Sequence, residues 1–264
     1  MRANPVKAAL RAGQAAVGTW LSLGSITASR FMARAGFAWL TVDLEHSLVD
    51  WETATHMFAA IADAGCVALA RVPANRHDHI KRALDNGAHG IVVPMVNTRQ
   101  EAEQAVRAAL YPPRGNRSVG GSVHALNFAA SPAEYYARAN DELLIVLQCE
   151  HPLAVQHAAE IYSVPGVDAV FIGPNDLAAN MRGTQGQQPS AEAQAAAHRQ
   201  VLQACQQIGV PAGIHCYSAE EAKQRIAEGW QFLAVGSELR LMMDAAAAMV
   251  RTIGLNAKGE LARY

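Results

Sequence analysis

The chain has 264 residues, of which 51% are hydrophobic and 17% are charged, and its formal net charge is −1. This length and apolar content fit one large α/β domain with a sizeable core, and the small net charge offers no basic field for nucleic acid or an anionic membrane surface. The longest uncharged run, residues 12–29, is interrupted by Gly, Ser, Thr and Gln, so we expect no membrane span.

The four cysteines are scattered without a paired spacing, at Cys66, Cys149, Cys205 and Cys216. We therefore expect buried, reduced thiols in a cytoplasmic protein. Asp43 is the first acidic residue, and four arginines precede it. A strand-like run nevertheless begins at Val17, so we expect a short N-terminal helix rather than a cleaved leader, and a single domain over 1–264.

Eight short apolar runs alternate with helical patterns along the chain. They are near-continuous apolar segments, as expected for parallel strands that are buried on both faces. In chain order, the predicted strands are residues 17–23, 37–42, 67–72, 90–96, 143–148, 169–172, 211–215 and 232–235.

Helical patterns fill the intervals between these runs. Asp50 is a predicted N-cap for the helix that follows the second run. Long helices are predicted at 191–208 and 238–253. Capping-box spacing occurs three times, at Thr98 and Glu101, Ser131 and Glu134, and Ser218 and Glu221.

Eight β units with helical crossovers in one chain of this length predict a (β/α)8 TIM barrel, an α/β fold. The alternative is an open doubly wound sheet, which often carries a glycine-rich first turn. No G-x-G-x-x-G follows any predicted strand here. Two segments, 111–130 and 182–189, are too long for plain connections and are predicted to be lids or subunit contacts.

Polar side chains collect at the carboxyl ends of the predicted strands, where barrels of this kind carry their reacting groups. Strand two ends in Asp43, Glu45 and His46, and strand three ends in Arg71. The later strand ends carry Gln148, Glu150, Gly173, Pro174, Asn175, Asp176, His215 and Ser237. Six strand ends with this character predict one site at one rim.

Glu150 and Asp176 follow neighbouring predicted strands. Two carboxylates without a Cys or His cluster favour a hard divalent cation, Mg²⁺ or Mn²⁺, with Co²⁺ as a further option. The alternative is that either acid forms an ion pair with a neighbour. Strand alternation turns Cys149 and His151 away from Glu150, so we interpret them as packing and outer-shell groups.

Arg71 and His46 are the predicted reactive side chains. Arg71 offers paired donors in a fixed plane for a substrate carboxylate or an enolate oxygen, and the alternative is an ion pair with Glu45. His46 is a candidate general base near neutral pH, with Asp43 or Glu45 fixing its tautomer, and the alternative is a surface histidine.

The sequence lacks the residues that several other reaction classes require. The four lysines, Lys7, Lys81, Lys223 and Lys258, lie in helical or terminal segments, which argues against a Schiff-base mechanism. The last two predicted loops carry acids where a phosphate would bind. No G-x-S-x-G elbow supports a hydrolase.

Several motifs resemble the HpcH/HpaI family of metal-dependent (class II) pyruvate aldolases, which act on 4-hydroxy-2-oxo acids. The resemblance runs in order from about Gly18 to Ser237. Its motifs are Gly18-Thr19-Trp20, Asp43 with Glu45 and His46, Arg71 with Pro73, Val93 to Val96, Tyr111-Pro112-Pro113 with Gly115 and Arg117, Gln148 with Glu150, and Phe171 to Leu177.

This resemblance implies a role for each matching residue. Glu150 and Asp176 would bind the metal, His46 would be the base paired with Asp43, and Arg71 would bind and stabilise the pyruvate enolate. The resemblance further implies that Gln148 and the Gly173–Pro174 backbone, with Asn175 in the same motif, hold the pyruvate end, and that Trp20 lines the aldehyde side. It also implies a homo-oligomer, a trimer or hexamer, with exchanged C-terminal helices.

The sequence departs from the family pattern at four positions. Leu44 stands where the family often has Gly, and Cys149 where it often has an aliphatic residue. His215 and Ser237 occupy positions that are commonly apolar at the aldehyde end. His215 and Ser237 predict a more polar or shorter acceptor aldehyde.

The expected reaction is reversible cleavage of a 4-hydroxy-2-oxo acid into pyruvate and an aldehyde, within aromatic or sugar-acid catabolism. One alternative is a related 2-oxo acid lyase or decarboxylase that uses the same enolate. The other is a non-catalytic protein that binds metal and a 2-oxo acid.

Overall fold

The computed structural model describes residues 1–255, in which eight parallel strands close into a barrel. Each strand pairs with the next in sequence, and the eighth pairs with the first. The TIM-barrel prediction is confirmed, and the predicted domain 1–264 extends beyond the described residues. The strands are β1 (Ala16–Leu21), β2 (Trp39–Asp43), β3 (Val67–Arg71), β4 (Gly90–Val93), β5 (Leu144–Cys149), β6 (Ala169–Ile172), β7 (Ala212–Cys216) and β8 (Phe232–Ser237).

Helices surround the barrel. The described segments are α1 (Pro5–Arg11), α2 (Ile26–Met32), α3 (Trp51–Asp63), α4 (His77–Asp85), α5 (Arg99–Ala109), α6 (Val123–Asn127), α7 (Pro132–Glu142), α8 (Pro152–Gln156), α9 (Ala158–Tyr162), α10 (Pro174–Asn180), α11 (Ala191–Ile208), α12 (Ala219–Glu228) and α13 (Glu238–Ile253). The predicted bounds of α11 and α13 are confirmed. Neither α2 nor α6 was singled out by the sequence pattern.

The three predicted capping boxes differ in completeness. Thr98 and Glu101 form the full reciprocal pair at the start of α5. Ser131 and Ser218 each accept the expected backbone N–H. Their glutamates bind elsewhere, because Glu134 pairs with the N-terminal amine and Glu221 accepts the Tyr217 N–H.

Two apolar cores hold the barrel together, one between sheet and helices and one inside the barrel. In the interior, the rings of Trp39 and Phe232 stack with centroids 4.4 Å apart. A Cβ atom at Gly18 would meet the Trp39 ring at 2.1 Å, so only glycine lets this indole cross β1. All four cysteines lie in the described part as buried free thiols.

Helix α1 covers the amino-terminal end of the barrel. Lys7 on α1 donates from Nζ to the Leu143 carbonyl at 2.5 Å and to Asp168 Oδ2 at 2.9 Å. Burial lowers the pKa of Lys7 and the Asp168 charge opposes that shift. This buried pair fixes the helix to the strand ends on the side away from the predicted site. Within residues 1–255, no helix is both long and apolar enough to cross a bilayer.

The segment 111–130 was predicted as a lid or subunit contact, and it contains the short helix α6. Arg117 anchors it, since its buried guanidinium pairs with Asp85 at 2.7 Å and lies 4.5 Å from the centre of the Tyr111 ring. His89 binds it from the barrel side, because Nε2 contacts the Asn127 carbonyl at 3.1 Å.

His89 is held in one neutral tautomer. Its Nδ1 accepts the Ala68 N–H at 3.2 Å, so the proton sits on Nε2, which donates to Asn127. Burial lowers the pKa of His89 to about 4, and the hydrogen bond to Asn127 only partly opposes this. A protonated ring would lose the bond from Ala68.

Acid should therefore destabilise the fold through His89. Below about pH 6.5 the unfolded chain gains a proton at this histidine while the native ring stays neutral, so stability falls until about pH 4. The shift from 6.5 to about 4 corresponds to roughly 3 kcal/mol. Urea unfolding of wild type and His89→Gln across pH 4–8 measures it. The variant should show a shallower decline, and an equal decline in both proteins would contradict the assignment.

Candidate active site

The carboxyl ends of the strands surround a cavity of about 350 Å³. Twelve residues predicted for the site line it, and Glu45 does not: Trp20, Asp43, His46, Arg71, Gln148, Glu150, Gly173, Pro174, Asn175, Asp176, His215 and Ser237. A larger cavity of about 610 Å³ lies at the opposite end of the barrel, beside Lys7 and Asp168. It gathers none of the predicted groups, so we assign the chemistry to the smaller one.

Asp43 and Arg71 form the central pair of this site. The parallel register of β2 and β3 sets them side by side. Arg71 donates from Nε to Asp43 Oδ1 at 2.9 Å and from Nη2 to Asp43 Oδ2 at 2.5 Å. Both side chains are nearly buried, and such bidentate pairing fixes the plane of a guanidinium.

The Asp43 carboxylate also accepts the backbone N–H groups of Glu45 and His46, at 3.0 and 3.2 Å. Burial raises the pKa of Asp43, but the hydrogen bonds from Arg71 and from this turn outweigh it and hold the pKa below its ordinary value. Asp43 is thus an ionised anchor that orients both Arg71 and the turn carrying His46.

His46 lies at the open side of the site, with half of its side chain exposed. Its Nε2 atom is 3.8 Å from Glu45 Oε1. Glu45 Oε2 is in turn 3.5 Å from Arg71 Nε. Burial raises the pKa of Glu45, and the charges of Arg71 and His46 oppose that shift. The sequence named both Asp43 and Glu45 as partners for His46; the ring lies close to Glu45, whereas Asp43 accepts the His46 backbone N–H.

Glu150 is a buried carboxylate, with 2% of the residue exposed. Its Oε1 accepts the Gln148 amide at 2.7 Å and its Oε2 accepts the Met95 N–H at 3.1 Å. Met95 holds a left-handed φ of 52°, an uncommon conformation that aims this N–H at the acid. Burial and the nearby charge of Asp176 raise the pKa of Glu150 to about 8.

The residues fit a divalent cation. Glu150 and Asp176 share the cavity, and neither has an ion pair within 4.0 Å among residues 1–255. The buried Gln148 Oε1 has no hydrogen-bond partner there either. Oxygen donors of this kind suit Mg²⁺ or Mn²⁺. The described part assembles no group of three or more His, Cys, Asp or Glu ligands, so two acids would leave positions for water and substrate.

Gly173 makes room for this carboxylate. A Cβ atom at position 173 would lie 2.4 Å from Glu150 Oε1. Pro174 then begins α10, and Asp176 falls in its first turn. The Gly-Pro sequence at the end of β6 thereby brings the two acids into one cavity.

The opposite wall is built on Trp20. Its indole N–H donates to His215 Nδ1 at 3.1 Å. The Arg71 guanidinium lies 4.7 Å from the centre of the ring, a cation–π contact. Phe171 packs edge-on at 5.7 Å. Ser237 caps α13 by accepting the Arg240 N–H at 3.2 Å.

Four further residues line the cavity although the sequence assigned them no role in the site: Ser22, Phe171, Tyr217 and Gly236. Phe171 and Tyr217 lie two residues from predicted positions on their strands, so strand alternation could have found them. Ser22 likewise lies two residues from a predicted position, Trp20, and Glu238 holds it in place by accepting the Ser22 and Leu23 N–H groups at 2.6 and 2.8 Å.

Residues 16–245 match the family model described as HpcH/HpaI aldolase/citrate lyase. A similar curated protein is the 4-hydroxy-2-oxo-heptane-1,7-dioate aldolase of Shigella sonnei, 37% identical over 254 residues and 96% of each chain. The hydroxypyruvate/pyruvate aldolase of Delftia acidovorans is 38% identical over 247 residues, covering 93% of this chain and 91% of that one.

Solved structures give the same result. A family protein from Burkholderia cenocepacia superposes with a TM-score of 0.87 at 33% identity, covering 95% of this chain and 99% of its own. An HpcH/HpaI aldolase from Desulfitobacterium hafniense gives a TM-score of 0.85 at 31% identity, covering 97% and 98%.

Gly173→Ala should weaken cation binding, because the new methyl group would displace the Glu150 carboxylate. We expect Mn²⁺ affinity measured by calorimetry to fall roughly 10–100-fold. Gly120→Ala is the matched control, since a Cβ atom at Gly120 meets nothing within 4 Å. Equal Mn²⁺ affinity in the two variants would show that Gly173 is not needed to place the acid.

Proposed function

Because the chain belongs to the HpcH/HpaI aldolase/citrate lyase family, we propose that it is a class II pyruvate aldolase that reversibly cleaves a 4-hydroxy-2-oxo acid into pyruvate and an aldehyde. The observation that carries the proposal is the buried Glu150 carboxylate beside Asp176, facing the Arg71 guanidinium across one cavity. Among residues 1–255 the two acids have no paired cation, so they can hold a metal ion. That ion and the rigid Arg71 together suit a substrate whose reacting end becomes anionic.

Glu150 and Asp176 would hold the divalent cation. When bound, that cation supplies positive charge to the 2-oxo and carboxylate oxygens of the substrate and lowers the energy of the enolate. The charge would also return the Glu150 carboxyl to its ionised form, against the burial that raises its pKa.

Arg71 stabilises negative charge on the substrate from the other side. Asp43 holds the guanidinium in one plane through two hydrogen bonds. Preorganised donors of this kind are commonly the largest single contribution to rate. Gln148 and the Gly173–Pro174 backbone line the same end of the cavity and orient the pyruvate half.

His46 acts as the base. It takes the proton of the C4 hydroxyl group, the C3–C4 bond breaks, and its electron pair enters the C2–C3 bond of the pyruvate enolate. The C4 carbon leaves as the aldehyde, and protonation of C3 completes pyruvate. Glu45, 3.8 Å from the His46 ring, stabilises the imidazolium that forms.

The reaction is tested by incubating the protein with pyruvate and a panel of aldehydes and analysing the products. We expect a 4-hydroxy-2-oxo acid that disappears with EDTA and returns with Mg²⁺ or Mn²⁺. Arg71→Ala and His46→Ala should each reduce the rate roughly 10²–10³-fold. Arg76→Ala, which breaks only an exposed ion pair with Asp78, is the control.

One result would reject the role of His46, and another would reject the function. Full turnover in His46→Ala would remove it as the base. Products without free aldehyde in the cleavage direction would favour a decarboxylase or another 2-oxo acid lyase.

The buried free thiols fit a reducing compartment, so we place the reaction in the cytoplasm.

We also propose that the enzyme is a homo-oligomer, a trimer or hexamer, that exchanges α13. This helix leaves the barrel after Glu238 and exposes apolar side chains along its length. Leu241, Met242, Met249 and Ile253 are 41, 52, 67 and 70% exposed. A partner subunit would bury this face, as apolar patches of this kind commonly require.

A double substitution, Met242→Glu with Met249→Glu, should reduce the assembled mass, because buried carboxylates would be costly in a helix interface. Size-exclusion chromatography with light scattering measures the change. Arg251→Ala on the same helix is the control and should keep the wild-type mass. A wild-type monomer would end the proposal.

A further inference from the structure

His215 on β7 carries an unused hydrogen-bond donor at the wall of the cavity. Its Nδ1 accepts the Trp20 indole N–H at 3.1 Å. Indole can only donate, so Nδ1 bears no proton, and the neutral ring carries its proton on Nε2. Trp20 thereby selects the tautomer of His215 as well as its orientation.

This Nε2 atom is shielded from solvent and has no hydrogen-bond partner among residues 1–255. A buried donor without a partner carries a free-energy cost, and native structures keep such groups mainly where a ligand or an ordered water completes them. Burial and the Arg71 charge lower the pKa of His215 to about 4. Near pH 7 the ring is therefore a neutral donor.

The same wall offers other neutral groups. Ser237 Oγ accepts the Arg240 N–H at 3.2 Å, which leaves its own proton free to be donated. Tyr217 donates its hydroxyl proton to Asn175 Oδ1 at 2.7 Å, so that hydroxyl group is already engaged. His215 and Ser237 are thus two donors on this wall that remain available to a bound aldehyde.

Cationic groups for a second carboxylate are scarce. In the described part, Arg71 is the one Lys or Arg that lines the cavity, and it is paired with Asp43. Arg240 lines the neighbouring cavity, where its Nε binds Asp244 at 2.8 Å. An acceptor with a terminal carboxylate would meet Asp176 and Glu150 without an unpaired guanidinium to balance it.

We propose that the His215 Nε2–H recognises a hydroxyl group on the acceptor aldehyde, so that the enzyme prefers short, uncharged hydroxyaldehydes to alkyl aldehydes and to semialdehydes that end in a carboxylate. This rests on the aldolase function proposed above. It separates the chain from the Shigella sonnei relative, whose named substrate is a dioate. Trp20 is the positioning residue, since it acts on the acceptor through His215.

The test compares kcat/KM for glycolaldehyde, propionaldehyde and succinate semialdehyde, with pyruvate saturating. Glycolaldehyde and propionaldehyde are nearly equal in size and differ by one hydroxyl group. Wild type should prefer glycolaldehyde to both others. In His215→Leu, the ratio of kcat/KM for glycolaldehyde to kcat/KM for propionaldehyde should fall roughly tenfold. His215→Gln, which keeps an N–H donor, should recover part of this ratio.

Tyr217→Phe is the matched control. It removes a hydroxyl group from the same wall, but one already bound to Asn175, so the ratio should change far less than in His215→Leu. Trp20→Phe, which releases Nδ1 and permits both tautomers, should lower the ratio through a higher KM for glycolaldehyde, while KM for propionaldehyde stays near that of wild type. An unchanged ratio in Trp20→Phe would remove its positioning role.

An unchanged ratio in His215→Leu would overturn the proposal, and so would a wild-type preference for succinate semialdehyde. Exchange of the pyruvate C3 protons in D₂O by wild type separates this failure from failure of the aldolase function. If exchange occurs and the ratio does not move, the enolate site stands and the assignment of His215 is wrong. If wild type shows no exchange, the proposed function is wrong, and this assignment is overturned with it.

Discussion

The site depends on one salt bridge between neighbouring strands. The register of β2 and β3 places Asp43 beside Arg71, and two hydrogen bonds join them in a fixed plane. Because Asp43 also binds the turn that carries His46, one carboxylate orients both reactive side chains. Such a buried pair adds little net stability, since removing two charges from water offsets their attraction. Its role is instead to fix the orientation of the side chains at the mouth of the cavity.

On the opposite side of the cavity, the buried charge is negative and lacks a partner of opposite sign among residues 1–255. Glu150 is buried with Asp176 nearby, and in the described part of the chain its carboxylate receives only two neutral donors, the Gln148 amide and the Met95 N–H. The fold provides room for it through a missing Cβ atom at Gly173 and a donor through the unusual backbone of Met95. Negative charge concentrated in this way is costly without a cation, and the proposed metal role follows from that cost.

Much of this arrangement could be predicted from the sequence because barrel strands are buried on both faces. A polar side chain that ends an apolar run, such as Arg71 or Gln148, then stands out in the sequence, and all the predicted site residues except Glu45 line one cavity. What could not be predicted depends on tertiary contacts. The helix α6 is short and follows two glycines, and it is held from outside its own sequence by His89, which binds the Asn127 carbonyl. One incomplete capping box has the same cause, because the distant N-terminal amine binds Glu134; the other differs only locally, since Glu221 accepts the N–H of Tyr217, one residue before the N-cap.

Trp20 touches both halves of the site, since its ring face meets Arg71 and its N–H meets His215. The groups that bind the two ends of the substrate are therefore coupled to each other through Trp20. An engineer who reshapes the aldehyde wall to accept bulkier partners would also disturb the arginine that supports the enolate. Successful redesign should begin at a position whose ring packs elsewhere, such as Tyr217, and leave the tryptophan in place.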